Sequence, residues 1–187
     1  ARHSEAEIRR KLLEDQMVDV MVAVGPNFFY SVTLPVTLWF LDRSKRTAPR
    51  ADQVLFIDAR QIFNQVDRAH RDFTEEQLEF LASIVRLYRG ETLNLALGSN
   101  GLLDATFPDA KYADIPGLCK VATIAEIEAQ GWSLNPGRYV GTEVDELDDE
   151  KFEEKLAAAH KELRELADRA ATLEAGVDKV LGQLLAR

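Results

Sequence analysis

The strongest constraint on the fold lies in residues 17–42, MVDVMVAVGPNFFYSVTLPVTLWFLD. Two apolar runs, 17–24 and 34–41, flank a loop holding Gly25, Pro26, Asn27 and three adjacent aromatics. The runs are too short for ordinary helices and rich in Val, Phe, Trp and Thr, so they predict two buried strands. Pro35 falls at the start of the second, one of the few sheet positions where a missing N–H is harmless. A sheet core on both sides of a short loop presents the loop's side chains at the sheet rim. Phe28, Phe29 and Tyr30 either cap the core or offer aromatic surface there, and periodicity alone leaves both readings open.

Three further signals order the rest of the chain. VLFID at 54–58 predicts a third strand ending in Asp58, a strand-end cap or a catalytic acid. Capping boxes at Ser4/Glu7, Thr74/Gln77 and Thr123/Glu126 predict three helix starts. The first helix, with Ile8, Leu12 and Leu13 on one face, breaks at Asp15 and Gln16. Its basic cluster Arg9, Arg10 and Lys11 reads as a solvated face, with a phosphate contact as the alternative. The second carries Leu78, Leu81, Val85 and Tyr88 at helical spacing and stops at Gly90; the third stops at Gly131. Residues 91–119 have weak periodicity and read as connecting loop with a short helical turn. Leu134-Asn135-Pro136-Gly137 reads as a turn whose neighbours Trp132 and Tyr139 pack onto the sheet.

Beyond the acidic run 143–150, Phe152, Leu156, Ala159, Leu163, Leu166, Ala170, Leu173, Val177, Val180 and Leu184 recur in alternating steps of four and three. This heptad seam predicts a helix over 150–185, roughly 50 Å long at 1.5 Å per residue. One narrow stripe of that length calls for another helix, so Leu156, Leu163, Leu166, Leu173 and Val177 are the candidate partner interface. The expected fold class is therefore α/β, with strands at about 17–24, 34–41 and 54–58 and an appended C-terminal helix. Three parts are expected: an α/β region over 1–90, an irregular connecting region over 91–142, and an acidic linker with its helix over 143–187.

Composition narrows the functional classes. The net charge of −9 on 187 residues argues against generic affinity for nucleic acid, which needs a basic footprint. The charge is uneven: residues 1–50 carry eight basic and six acidic side chains, whereas 101–150 carry three and eleven. A DNA-facing surface is therefore expected in the N-terminal segment, and Arg43, Lys45 and Arg46 in the turn after the second strand are its candidates. His3, His70 and His160 show no metal-ligand spacing, and a local structural role is expected for His70. The lone Cys119 and the lack of a signal-peptide pattern suit a cytoplasmic protein.

GPNFFYSVTLPVTLWFLDRSK, VLFIDAR at 54–60, DRAHRDFT at 67–74 and GWSLNPGRYVG at 131–141, in this order, together resemble one family. It is the modification subunit of type I restriction–modification enzymes, an adenine-N6 DNA methyltransferase that uses S-adenosylmethionine. The resemblance runs from about Glu7 onward and covers the family's C-terminal portion. It implies that the strands are the later strands of the methyltransferase sheet. By the same resemblance Phe29, with Phe28 and Tyr30 as less favoured neighbours, would stack on an extruded adenine. The implied partners are DNA, a DNA-specificity subunit and a motor-nuclease subunit. The family's glycine-rich cofactor loop and its Asn-Pro-Pro-aromatic motif are not in these residues; Leu134-Asn-Pro-Gly lacks the second proline and the aromatic. The chain alone is therefore expected to bind no cofactor and to be inactive. Two alternatives stay open: a non-enzymatic assembly module acting through its helix, and part of an adenine methyltransferase that works without a separate specificity subunit.

Overall fold

The computed structural model describes residues 2–29 and 33–141, and from the later part 160, 161, 163, 164, 166, 167, 169 and 170. The chain divides into two compact units, Ala1–Glu143 and Val144–Arg187.

In the first unit, helix α1 (Arg2–Glu14) precedes strands β1 (Val18–Val24) and β2 (Val36–Leu41). A 3-10 turn at Arg43–Thr47 leads into β3 (Gln53–Ala59), followed by a small hairpin of β4 (Asn64–Gln65) and β5 (Arg71–Asp72). Helices α2 (Glu75–Arg89) and α3 (Asn100–Thr106), strand β6 (Cys119–Thr123) and helix α4 (Ile124–Ala129) complete it. The main sheet runs β2-β1-β3-β6, with β1 parallel to β3 and both outer pairings antiparallel.

Strand β1 is buried along its whole length because helices cover both faces of the sheet. Val20, Val22 and Val24 face α2, meeting Leu55, Ile57, Phe80 and Ile84. Met21 faces the other way, with Phe56, Ile127 and Leu13 of α1. Strict alternation would put Val18 beside Val20, yet it packs with Met21. A bulge between Val18 and Val20 explains the switch, since an extra residue flips the faces beyond it. The residue in the bulge is Asp19, fully buried. Its carboxylate accepts from Arg50 Nε at 3.1 Å and Arg89 Nε at 2.9 Å, so the two cations hold what the core would otherwise expel.

The strand positions agree with expectation, but the burial of β2 does not. Leu38, Trp39, Phe40 and Leu41 are 41 to 50 % exposed. Among the described residues no strand pairs with the outer edge of β2. Strand β6 and its pairing with β3 were not expected, so the region after residue 91 is part of the same sheet. That region is anchored by the buried Glu79, whose carboxylate accepts from Leu97 N at 2.7 Å and Ser99 N at 3.0 Å. The capping boxes at Thr74 and Thr123 are both formed, and Gly90 closes α2 in the left-handed region. Ser4, by contrast, lies inside α1 and is not its cap.

Candidate functional site

Parallel β1 and β3 end side by side, and in open α/β sheets ligands bind beyond the carboxyl ends of the strands. At this rim β1 exits through Gly25. A Cβ there would stand 2.9 Å from the Arg60 carbonyl oxygen, so only glycine lets the two backbones pass this closely. Asn27 follows with φ of 70°, a left-handed conformation that Asn tolerates. Its carbonyl accepts from Arg71 N at 2.9 Å and ties the loop to β5.

The two described aromatics of the loop diverge. Phe28 is half-buried against Phe73, ring centroids 4.5 Å apart, and belongs to the core on the α2 side. Phe29 is 48 % exposed at the rim. Tyr30 lies outside the described residues. Beside the loop, Arg71 lies over the Phe63 ring at 3.8 Å and donates to Gln65 at 3.0 Å. His70 bonds Asp67 Oδ2 through Nδ1 at 2.7 Å, and this bond holds the Asp67 carboxyl below its usual range. Asp67 also accepts from the backbone of Ala69 and His70, so the imidazole organises a turn.

A cavity of about 540 Å³ opens on the α1 side of the same rim. Arg9 of α1, Arg60 after β3 and Arg138 of the 3-10 turn Pro136–Arg138 line it. Sequence reasoning placed Arg9 on a solvated face and singled out neither of the others. Their convergence depends on tertiary structure, and no short-range spacing signals it. On the opposite face an apolar groove of about 480 Å³ runs between β2 and α2, lined by Leu38, Phe40, Leu78, Leu81 and Val85.

The cations expected to meet DNA stand elsewhere. The turn with Arg43, Lys45 and Arg46 follows β2 and so lies at the amino end of β1, away from the 25–29 loop. Lys45 does not face solvent: it is 1 % exposed, and its ammonium donates to Val18 O at 2.5 Å and to Gln53 O. The turn closed by Asp42 points this side chain inward, which removes it from any surface DNA could touch. Arg46 donates to Asp15 O at 2.7 Å, and Arg43 is exposed. In the second unit Leu163 and Leu166 lie in helical residues and are exposed, while Leu156, Leu173 and Val177 fall outside the described residues. Asp58 caps its strand as expected, accepting from Arg60 N at 3.1 Å. Tyr139 stacks on Phe56 at 3.9 Å, fixing the turn after Asn135 to the sheet. Among the described residues no group of His, Cys, Asp and Glu is arranged to hold a metal, and no helix is long and apolar enough to cross a membrane.

The family model for N-6 DNA methylases matches residues 1–148. The type I restriction enzyme HindI methylase subunit of Haemophilus influenzae is 37% identical over 182 residues, covering 97% of this chain and 36% of that protein. The type I restriction enzyme MjaIX methylase subunit of Methanocaldococcus jannaschii is 34% identical over 181 residues, covering 96% and 29%. The chain thus spans about a third of the length of these relatives. Among solved structures, the methyltransferase subunit of a type I restriction-modification system from Streptococcus thermophilus superposes with a TM-score of 0.54 at 22% identity. That match covers 74% of this chain and 23% of the other, and it speaks for the fold.

Proposed function

Since this chain belongs to the N-6 DNA methylase family, we propose that it is the later part of a type I restriction–modification methylase subunit. The whole protein would methylate adenine N6 in DNA, with S-adenosylmethionine as donor. This part would supply one aromatic wall of the pocket for the extruded base. The observation that carries the assignment is the divergence of Phe28 and Phe29. One ring anchors the loop in the core, and the other is held out at the carboxyl rim of two parallel strands.

The described residues do not fit a cradle for S-adenosylmethionine. Such a cradle needs a glycine-rich turn from strand into helix. Gly25 follows β1 but leads into an antiparallel hairpin, and its Cβ position is closed by the Arg60 carbonyl. The cofactor is accordingly assigned to the rest of the protein. The bare faces and open edge of β2 support a sheet that continues past this strand there.

The role of Phe29 is positional. A base turned out of the duplex loses its stacking, at a few kcal/mol, and an aromatic face restores roughly 1–3 kcal/mol of it. In the complete enzyme, Phe29→Ala should lower turnover about 5- to 150-fold while cofactor affinity stays near normal. Unchanged turnover in a folded variant would leave Phe29 an ordinary surface residue. Calorimetry of the 187-residue chain with S-adenosylmethionine should show no binding; micromolar affinity would overturn the assignment of the cofactor to other residues.

The heptad seam belongs to the same proposal as the docking surface for a helix of the DNA-specificity subunit, the motor-nuclease subunit joining the assembly for cleavage. The exposed Leu163 and Leu166 support this. Leu163→Asp should abolish co-purification with the specificity subunit and leave the melting of the chain unchanged. A fall in its own melting temperature would instead place the seam in an internal core.

A further inference from the structure

We infer that the cavity bounded by Arg9, Arg60 and Arg138 is an anion site, built to hold a phosphodiester of the DNA strand beside the 25–29 loop. This rests on the methyltransferase reading and names how the strand, as opposed to the base, is gripped.

The first ground is the charge of the lining. The chain carries 32 acidic side chains and a net charge of −9, yet none of the residues lining this cavity is acidic. Three guanidinium groups arrive there from three different elements. Asp58 pairs with Arg60, and the charges left on Arg9 and Arg138 favour an anion beside them.

The second ground is the hydrogen-bond inventory. Arg9 Nε is buried and has no acceptor among the described residues. Arg60 is fastened by Asp58, through Nε at 2.8 Å and Nη2 at 2.5 Å, which leaves Nη1 as its open donor. The Arg138 side chain makes no hydrogen bond to the described residues. Asn135 Oδ1 accepts from Gly137 N at 3.1 Å, and its N–H groups remain as donors. The unspent capacity of the three arginines is entirely donor. Such donors favour an acceptor-only ligand, and guanidinium forks match phosphate oxygens in geometry.

Position decides which phosphate. Val24 lines the cavity and leads directly into Gly25, and Pro35 lines it where the same loop returns to β2. Gly25 abuts the Arg60 backbone, and Gly137 lies close enough to Arg60 Nη2 that a Cβ there would stand 3.2 Å away. Gly25, Arg60 and Gly137 therefore stand together at this rim. At about 540 Å³ the cavity has room for more than one phosphate, and Trp39 gives it an apolar wall suited to a sugar.

Fluorescence anisotropy of the 187-residue chain with a short labelled duplex, between 50 and 200 mM salt, tests the site. Each phosphate contact contributes about −0.9 to the slope of log affinity against log salt. Arg9→Gln and Arg138→Gln should each flatten the slope by about that amount. Arg43→Gln, at the other end of the sheet, should leave it unchanged. Arg9→Lys, which keeps the charge on α1, should keep most of the slope, and circular dichroism verifies that all variants fold. A wild-type chain without measurable binding at 50 mM salt would overturn the proposal. So would Arg9 and Arg138 variants with wild-type slopes. Inorganic phosphate, titrated separately, should compete weakly with the duplex. If it saturates the cavity through Arg9 and Arg138 while duplex binding ignores both, the site serves a small free anion and the DNA assignment fails. Phe29→Ala gives an independent readout: it alters turnover and not the salt slope, so failure of one reading is distinguishable from failure of the other.

Discussion

Strands β1 and β2 are paired along their length and share a composition of Val, Leu and aromatic residues, yet one is fully buried and the other half-exposed on both faces. The difference comes from neighbours. β1 has a strand on each side and helices above and below, while β2 has β1 on one side and nothing described on the other. An apolar strand of a finished domain is covered, because each exposed apolar side chain forgoes part of its burial energy. Among the described residues β2 keeps an open apolar edge, and an edge of this kind invites pairing.

Carrying a charge into each strand sets the two apart most widely. Val22→Asp, at the centre of β1, should cost more than about 4 kcal/mol and leave the chain unfolded in urea titrations. Phe40→Asp in β2 should cost about 1 kcal/mol in the same experiment. Equal losses would mean that β2 is covered after all.

A narrower contrast lies in the two carboxylates that share Arg50. Asp19 in the β1 bulge is buried, and Asp42 just after β2 is partly exposed and caps the turn by accepting from Ser44 N at 2.8 Å. Asp19→Ala strands two cations and should cost about 3–5 kcal/mol. Asp42→Ala removes a cap and should cost about 1 kcal/mol. Chemical denaturation of both variants measures the ratio.

A further contrast, read in pH, belongs to Lys45, which ties β1 to β3 at the same end. Burial lowers its ammonium from 10.5 to about 8. Between these values the unfolded chain holds a proton that the folded chain has released, so this contribution to stability grows as pH rises through the window. Lys45→Met should remove that increment from the rise in melting temperature between pH 8 and 10. A wild-type profile identical in shape to that of the variant would show that the ammonium titrates normally.

Much of this architecture is legible in the residues. Short apolar runs rich in β-branched and aromatic residues locate β1, β2 and β3, and Thr74 and Thr123 announce their helices through side chains that act within three residues. Local chemistry of this kind survives any tertiary context. The exposure of β2 does not show, since an apolar strand looks the same whether its cover lies in the same segment or elsewhere. Strand β6 is hidden by its brevity and by Lys120 at its second position, which leave no period to count. Lys45 reads as a loop cation because nothing near it in sequence reveals the two carbonyls it meets. At the rim, Phe29 is proposed from the family resemblance, whereas Arg9, Arg60 and Arg138 converge from positions that only the folded sheet brings together.

The pairing of β3 with β6 also sets a schedule for synthesis. About 60 residues of chain lie between Ile57 and its partner Cys119. At roughly 5–20 residues per second, the ribosome needs on the order of 3–12 s to deliver that partner after β3 has been made. Until then β3 has a complete neighbour in β1 and a bare ladder on its far side. The nascent sheet therefore passes through a stage in which both of its margins are open, and β6 is the strand whose arrival closes one of them.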